Sequence, residues 1–388
     1  MIWKRTVVVL VAFAALGAAA CRDATTPQPQ SEATVPSATG RYIVVFRDSV
    51  TDAPNLARQL IQATGGSLTF TYSSALKGFA ATLPQAALMA LGRNPRVAYI
   101  EPDQLFQADV TQAMDANGDP WGLDRVDQGA LPLSRTYTYT TTASGVHVYI
   151  IDTGISTLAA DFGGRADNVY DAYGLTGEDC NGHGTHVSGI VGGATYGVAK
   201  GVSLHGVRVL SCAGVGLTSQ IIAGLDWVRQ NHASPAVANM SLGGGLSTAL
   251  NDATTNLWNA GVFVAVAAGN DNADACQASP ASATGAFTVA ASEKTDAKAS
   301  YSNWGTCVEA YAPGSAIKSD YLFGTTQSLS GTSMASPHVA GVAALYKATF
   351  GDAPSGTVSS WIITNATSGV ITGNPGGTPN RLLFKAGL

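Results

Sequence analysis

The chain has 388 residues, 46% hydrophobic and 12% charged, with a formal net charge of −5. This length predicts about two domains with ample core volume. The mildly acidic balance leaves no basic footprint, which argues against a nucleic-acid partner. Met1-Ile2-Trp3-Lys4-Arg5 gives a positive start, an apolar run follows from Val7 to Ala20, and small residues close it. Residues 1–21 therefore read as a secretory signal. The run is shorter than the ~20 residues of a spanning helix. No later stretch is longer and apolar, so the mature protein is expected not to be integral to a membrane. Residues 22–40, rich in Thr, Pro, Gln and Ser, read as a flexible linker.

Residues 41–108 predict a small module. Tyr42–Phe46 reads as a strand, Pro54–Thr64 as an amphipathic helix, Leu68–Tyr72 and Gly78–Leu83 as strands, Ala86–Gly92 as a second helix and Val97–Glu101 as a last strand. The order βαββαβ suggests a ferredoxin-like α+β fold. Beyond it, apolar runs at 146–151, 237–242 and 262–267 alternate with helical stretches across residues 112–388, which predicts a doubly wound α/β domain with a mostly parallel sheet.

The chemistry-bearing residues sit at the ends of these runs. The first run leads into Asp152-Thr153-Gly154. Asn181-Gly182-His183-Gly184-Thr185-His186 follows, and then Gly331-Thr332-Ser333-Met334-Ala335-Ser336-Pro337-His338 just before an apolar helix. A serine is a poor nucleophile without a base oriented by a third group, and a helix start favours an oxyanion. The order Asp, His, Ser differs from those of chymotrypsin and the α/β-hydrolases. The serine context, Gly-x-Ser-x-Ala, also lacks the second glycine of a nucleophile elbow.

These three boxes resemble those of the subtilisin-like serine peptidases. Trp121-Gly122-Leu123-Asp124-Arg125-Val126-Asp127-Gln128 and Thr378-Pro379-Asn380-Arg381-Leu382-Leu383 narrow the resemblance to the proteinase K branch and its aqualysin-type members. The resemblance implies an extracellular serine endopeptidase with Asp152, His183 and Ser333 as the catalytic triad and Asn270 as an oxyanion donor. His186 is then structural. It places substrate-binding edges at Gly214-Val215-Gly216 and Ser241-Leu242-Gly243, where main-chain pairing reads little sequence, so broad specificity with an apolar preference is expected. Protein and peptide substrates are the expected partners of a monomer. The 41–108 module is similar to the inhibitory propeptides of that family, which assist folding and are cut off by the enzyme itself. Here the cut is expected within Phe106–Thr111. Ala18-Ala19-Ala20-Cys21 resembles a bacterial lipoprotein box, with ordinary signal cleavage as the alternative, so a lipid would anchor the precursor only.

Besides Cys21, four cysteines remain: Cys180, Cys212, Cys276 and Cys307. Four allow three connectivities, and the resemblance implies 180–212 and 276–307. Each bridge would close a loop of about 32 residues, worth roughly 3–4 kcal/mol in the chain-entropy model. The resemblance also implies structural Ca2+ and no catalytic cofactor. One site would use Glu309, in place of the family's Asp, with the carbonyls of Thr284 and Ala286. A second would use Asp124, Asp127 and Gln128, although Ser134 and Thr136 stand where two further ligands are expected. Asp115–Asp119 starts like a calcium loop, but position 126 is Val rather than a bidentate Glu, so it reads as a turn. A catalytically dead binding protein and an esterase are the rivals. The complete triad with Asn270 argues against the first, and the peptide-binding edges with the inhibitor-like module argue against the second.

Overall fold

The computed structural model describes residues 40–107, 111–112 and 120–388. The signal, most of the linker, Cys21, the Asp115–Asp119 turn and part of the expected junction lie outside these residues. The first module runs β1 (Gly40–Phe46), α1 (Ala53–Thr64), β2 (Ser67–Tyr72), β3 (Gly78–Leu83), α2 (Gln85–Gly92) and β4 (Val97–Pro102), the expected βαββαβ order. Its antiparallel sheet has the order β2-β3-β1-β4. Successive strand side chains point to opposite faces. Val44, Phe46, Phe79 and Leu83 therefore pack with Leu56, Leu60 and Leu91 of the helices. Ile43, Val45 and Ala80 turn the other way and share a core with Ile221, Ile222 and Leu250 of the larger domain. Burial on both faces explains why Tyr42–Phe46 reads as a continuous apolar run. The start of α1 is set by the Asp52 carboxylate, which accepts from the Asn55 N–H at 3.0 Å, and by the proline in the first turn.

The larger domain continues with β5 (Leu105–Gln107), β6 (Thr111–Gln112), α3 (Trp121–Val126), β7 (His147–Asp152), β8 (Ala166–Asp171), α4 (His183–Gly192), β9 (Ser203–Arg208), β10 (Val215–Leu217), α5 (Thr218–Asn231), β11 (Ala236–Met240), β12 (Gly244–Gly245), α6 (Thr248–Asn259) and β13 (Phe263–Ala267). It ends with β14 (Ala278–Ser279), β15 (Phe287–Ser292), β16 (Ala310–Pro313), β17 (Ile317–Asp320), β18 (Thr326–Ser330), α7 (Thr332–Phe350), α8 (Ser355–Asn365), β19 (Thr367–Ser368) and β20 (Arg381–Leu382). A nine-stranded sheet takes the order β19-β20-β16-β15-β13-β11-β7-β9-β8 and is parallel except for its last pair, β19 with β20. In β7, Val148 and Ile150 pack on one side with Ile190 of α4 and Val339 of α7. Tyr149 and Ile151 pack on the other with Leu225 of α5 and Leu250 of α6. Helices thus cover both faces, as the sequence predicts.

The expected run 237–242 stops pairing at Met240, because Ser241 leaves the sheet to bond α7. Neighbouring β11 and β7 mark the point where the strand order turns back, which leaves a crevice at their carboxyl ends. Bridges join Cys180 to Cys212 and Cys276 to Cys307, the implied pairing. Among the described residues, no helix is long and apolar enough to cross a membrane.

Candidate active site

Asp152 is the last residue of β7 and His183 the first of α4, and both are buried. His183 Nδ1 lies 2.7 Å from Asp152 Oδ1, which also accepts the Thr153 N–H at 2.7 Å. The carboxylate acceptor places the imidazole proton on Nδ1 and leaves Nε2 as the basic nitrogen. The close approach of α4 to β7 depends on glycine: a Cβ on Gly184 would sit 2.1 Å from the Gly154 carbonyl oxygen.

Buried Asp179 holds the start of α4. Its Oδ1 accepts from the N–H groups of Asn181 and Gly182 and from Thr153 Oγ1, each at 2.9 Å. Its Oδ2 accepts from Thr185 N at 2.9 Å and Thr185 Oγ1 at 2.6 Å. One carboxylate thus takes the N–H groups of Gly182 and Thr185 at the start of α4 and, through Thr153 Oγ1, ties them to the end of β7. The sequence reading missed this residue. An Asp four positions before the helix-starting His183 was the available capping signal.

Ser333 is the second residue of α7 and is fully buried here, and its Oγ donates to the Ser241 carbonyl at 3.2 Å. Asn270 follows β13. Its Oδ1 accepts from Thr332 N at 2.8 Å and from Thr332 Oγ1 at 3.0 Å, so its Nδ2 is the donor end of the amide. His186 takes no place beside Asp152. Its Nε2 lies 3.0 Å from the carbonyls of both Ile317 and Gln327, and burial pushes its pKa down to about 3.

The first module packs on α5 and α6. Its carboxylates sit at two helix starts: Asp103 Oδ1 accepts from Ser219 N of α5 at 2.6 Å, and Glu101 Oε2 from Ala249 N of α6 at 3.0 Å. Beyond them β5 pairs antiparallel with β10, Gln107 opposite Val215, Phe106 opposite Gly216 and Leu105 opposite Leu217. β6 pairs antiparallel with β18, Thr111 opposite Ser330 and Gln112 opposite Leu329. Gly214 precedes the first edge. A cavity of about 270 Å³, lined by Gly243, Gly244, Ala267, Ala268, Gly269 and Ala281 among others, opens beside Asn270. Leu242 is buried in the core behind it.

Of the two expected calcium sites, the donor chemistry suits the first and not the second. Glu309 is a carboxyl whose pKa burial raises to about 8, so its charge is poorly compensated where a cation would compensate it. The carboxyl takes the Thr288 N–H at 2.5 Å and its own N–H, and Arg381 is the cation nearby. At the second, Asp124 is already satisfied by Ser134 N at 3.1 Å, Ser134 Oγ at 3.0 Å and Arg135 N at 2.6 Å. Asp127 accepts from Thr138 N at 2.7 Å and pairs with Lys385 Nζ at 3.2 Å, and Gln128 Oε1 accepts from Ser134 N. Hydroxyl, amide and ammonium donors stand where a cation would, which corrects the expectation for Asp124, Asp127 and Gln128. Among the described residues, no cluster of three or more His, Cys, Asp or Glu could hold a metal ion.

A carboxylate-oriented imidazole, a serine at a helix start and two strand edges that pair with an extended segment define the equipment of a serine hydrolase that acts on extended chains. Sequence comparison gives the lineage: the profile of the subtilase family matches residues 143–386 and that of peptidase inhibitor I9 matches residues 41–109. The chain is 48% identical over 369 residues to an extracellular serine proteinase of Thermus sp., covering 89% of each. It is 45% identical over 358 residues to alkaline serine exoprotease A of Vibrio alginolyticus, covering 89% of this chain and 67% of that one. A crystal structure of a cold adapted subtilisin-like serine proteinase aligns with TM-score 0.67 and 49% identity over 68% of this chain and 97% of its own. The chain belongs to the subtilase family of serine peptidases and carries an I9 inhibitor domain at its N-terminal end.

Proposed function

We propose that the protein is a secreted endopeptidase of broad specificity, made as a self-cleaving precursor whose residues 41–108 form the propeptide and 112–388 the peptidase. Ser333 is the nucleophile, His183 the general base and Asp152 the group that fixes its tautomer. His183 Nε2 takes the Ser333 proton as Oγ attacks the scissile carbonyl. The backbone N–H of Ser333 and Asn270 Nδ2 receive the oxyanion. Collapse expels the amine, which leaves with the proton from His183, and water then releases the acyl group by the same steps.

The observation that carries this reading is the chain's own path. It arrives along β10, is next described along β18, and at Thr111 pairs with a residue three positions before Ser333. This is the placement expected of a substrate added to both edges, and it supports a first cut within Phe106–Thr111. The glycines and alanines that line the 270 Å³ cavity, with Asp271, Ser279 and Asn303 beside them, leave room for a substrate side chain, and the expected preference is for apolar or aromatic ones. Residues 1–21 direct export, in keeping with the extracellular relative, and a lipid on Cys21 would be lost with the propeptide. One Ca2+ at Glu309, with the Thr284 and Ala286 carbonyls, would be structural.

The test is the Ser333→Ala precursor purified alone. It stays full length while the wild type matures at a rate independent of concentration and then hydrolyses casein, an activity that a serine-directed inhibitor blocks. A variant that matured to the same product would overturn self-processing.

A further inference from the structure

Pro337 lies inside α7. A proline has no N–H, so the carbonyl four residues earlier loses its helical donor. That carbonyl belongs to Ser333, and a buried carbonyl left unpaired is costly. A hydroxyl from a different element supplies the bond: Ser241 Oγ, one residue past the end of β11, donates to the Ser333 carbonyl at 2.7 Å.

That hydroxyl is itself held. With its single proton committed to Ser333, Ser241 Oγ can only accept from others, and it accepts from Asn239 Nδ2 at 2.9 Å. Asn239 Oδ1 in turn accepts from Ser336 Oγ at 2.7 Å. Ser336 is three residues after Ser333 on the same helix, so the bonds close a ring from α7 to the end of β11 and back. Asn239, Ser241, Ser333 and Ser336 are all fully buried, with no solvent to replace a lost partner. The main chain of Ser241 meanwhile accepts from Ser333 Oγ, so one residue holds the nucleophile at both its carbonyl and its hydroxyl.

We propose that Asn239, Ser241 and Ser336 are positioning residues for the nucleophile: their ring replaces the hydrogen bond that Pro337 removes and fixes the first turn of α7 on β11. This rests on Ser333 being the nucleophile. Displacement of a reacting atom by about 1 Å can cost ~10²-fold in rate. Loss of the ring therefore lowers kcat with little change in KM.

The structure also dictates the rescue. Pro337→Ala restores an N–H at the helical position that reaches the Ser333 carbonyl. The experiment compares Ser241→Ala, Pro337→Ala and the double variant, each as mature enzyme on one peptide substrate, with Ser333 counted by a fluorophosphonate probe. Ser241→Ala is expected to lose about tenfold or more in kcat with KM within about twofold. The double variant is expected to return to within about threefold of Pro337→Ala alone. Asn239→Asp, which still accepts from Ser336 but cannot donate to Ser241, should show the same kcat loss and the same rescue. If Ser241→Ala yields no folded protein, recovery of folded protein in the double variant supports the ring, and no recovery contradicts it. Undiminished kcat in Ser241→Ala, or a loss equal with and without Pro337, overturns the inference. A wild type that takes no phosphonate on Ser333 removes the catalytic reading and this inference with it. A labelled wild type with additive losses removes the inference alone.

Discussion

Replacing Asp179 by Asn tests whether one buried carboxylate holds the start of α4 to the end of β7. The swap keeps the shape and removes one acceptor. Oδ1 faces the N–H groups of Asn181 and Gly182 as well as Thr153 Oγ1, and Oδ2 faces the N–H and hydroxyl of Thr185. Whichever oxygen becomes NH2 meets at least one backbone N–H with no lone pair to offer. A buried donor left without a partner costs about 1–3 kcal/mol, and the lost charge at a helix start adds about 0.3–1 kcal/mol. The sum, about 1.3–4 kcal/mol, corresponds to a Tm lower by roughly 2–5 °C for the folded unit spanning 39–388, at an unfolding entropy near 2.1 cal/mol/K per residue. Calorimetry on Ser333→Ala precursors with and without Asp179→Asn avoids self-digestion. A parallel kcat on the active background should fall at least about tenfold with KM nearly constant, because His183 opens the helix that Asp179 caps. A Tm within 1 °C of the parent together with an unchanged kcat would refute the assignment.

Three further outcomes follow from the same structure. Asp103→Ala removes the carboxylate at the start of α5, so propeptide added in trans should inhibit the mature enzyme about tenfold or more less tightly; an unchanged inhibition constant contradicts the docking. His186, pushed down to about 3 by burial, stays neutral in the folded chain while the unfolded chain takes up a proton near pH 6.5. Its contribution to stability is therefore whole above pH 6.5 and is lost as pH falls toward 3, with His338, lowered to about 4, acting in the same direction. The Tm of the Ser333→Ala precursor should drop across that window, and a flat profile would count against both burials. Gly244→Val narrows the 270 Å³ cavity, so kcat/KM should shift by about tenfold or more from a phenylalanine to an alanine substrate. No change in that ratio means the cavity is not the primary specificity pocket.

What the sequence revealed follows from how local each feature is. The apolar strand runs, the βαββαβ order and the residues that end β7 or begin α4 and α7 are written in short contiguous segments, so Asp152, His183 and Ser333 were legible. One strand end was misplaced: β11 stops at Met240 because Ser241 turns to α7, a partner 92 residues away. Asp179 escaped notice because its five donors come from Thr153, Asn181, Gly182 and Thr185, which only the fold gathers around one side chain. The ring of Asn239, Ser241 and Ser336 was hidden for the same reason, although Pro337 inside an apolar helix was a visible sign that one carbonyl needed a donor from elsewhere. At Asp124, Asp127 and Gln128 the residue types suggested calcium, but the nearby Ser134, Arg135, Thr138 and Lys385 determine what those oxygens bind.

The central claim is that Ser333, activated by His183 and Asp152, attacks peptide carbonyls. The most direct measurement is peptide mass mapping of mature enzyme inactivated by a fluorophosphonate, with Asp152→Asn run beside it. The account predicts one adduct per molecule, on Ser333, formed in step with loss of activity and at least about a hundredfold more slowly in the Asp152→Asn variant. An adduct on another serine, or labelling of Ser333 at the same rate in both proteins, would contradict it.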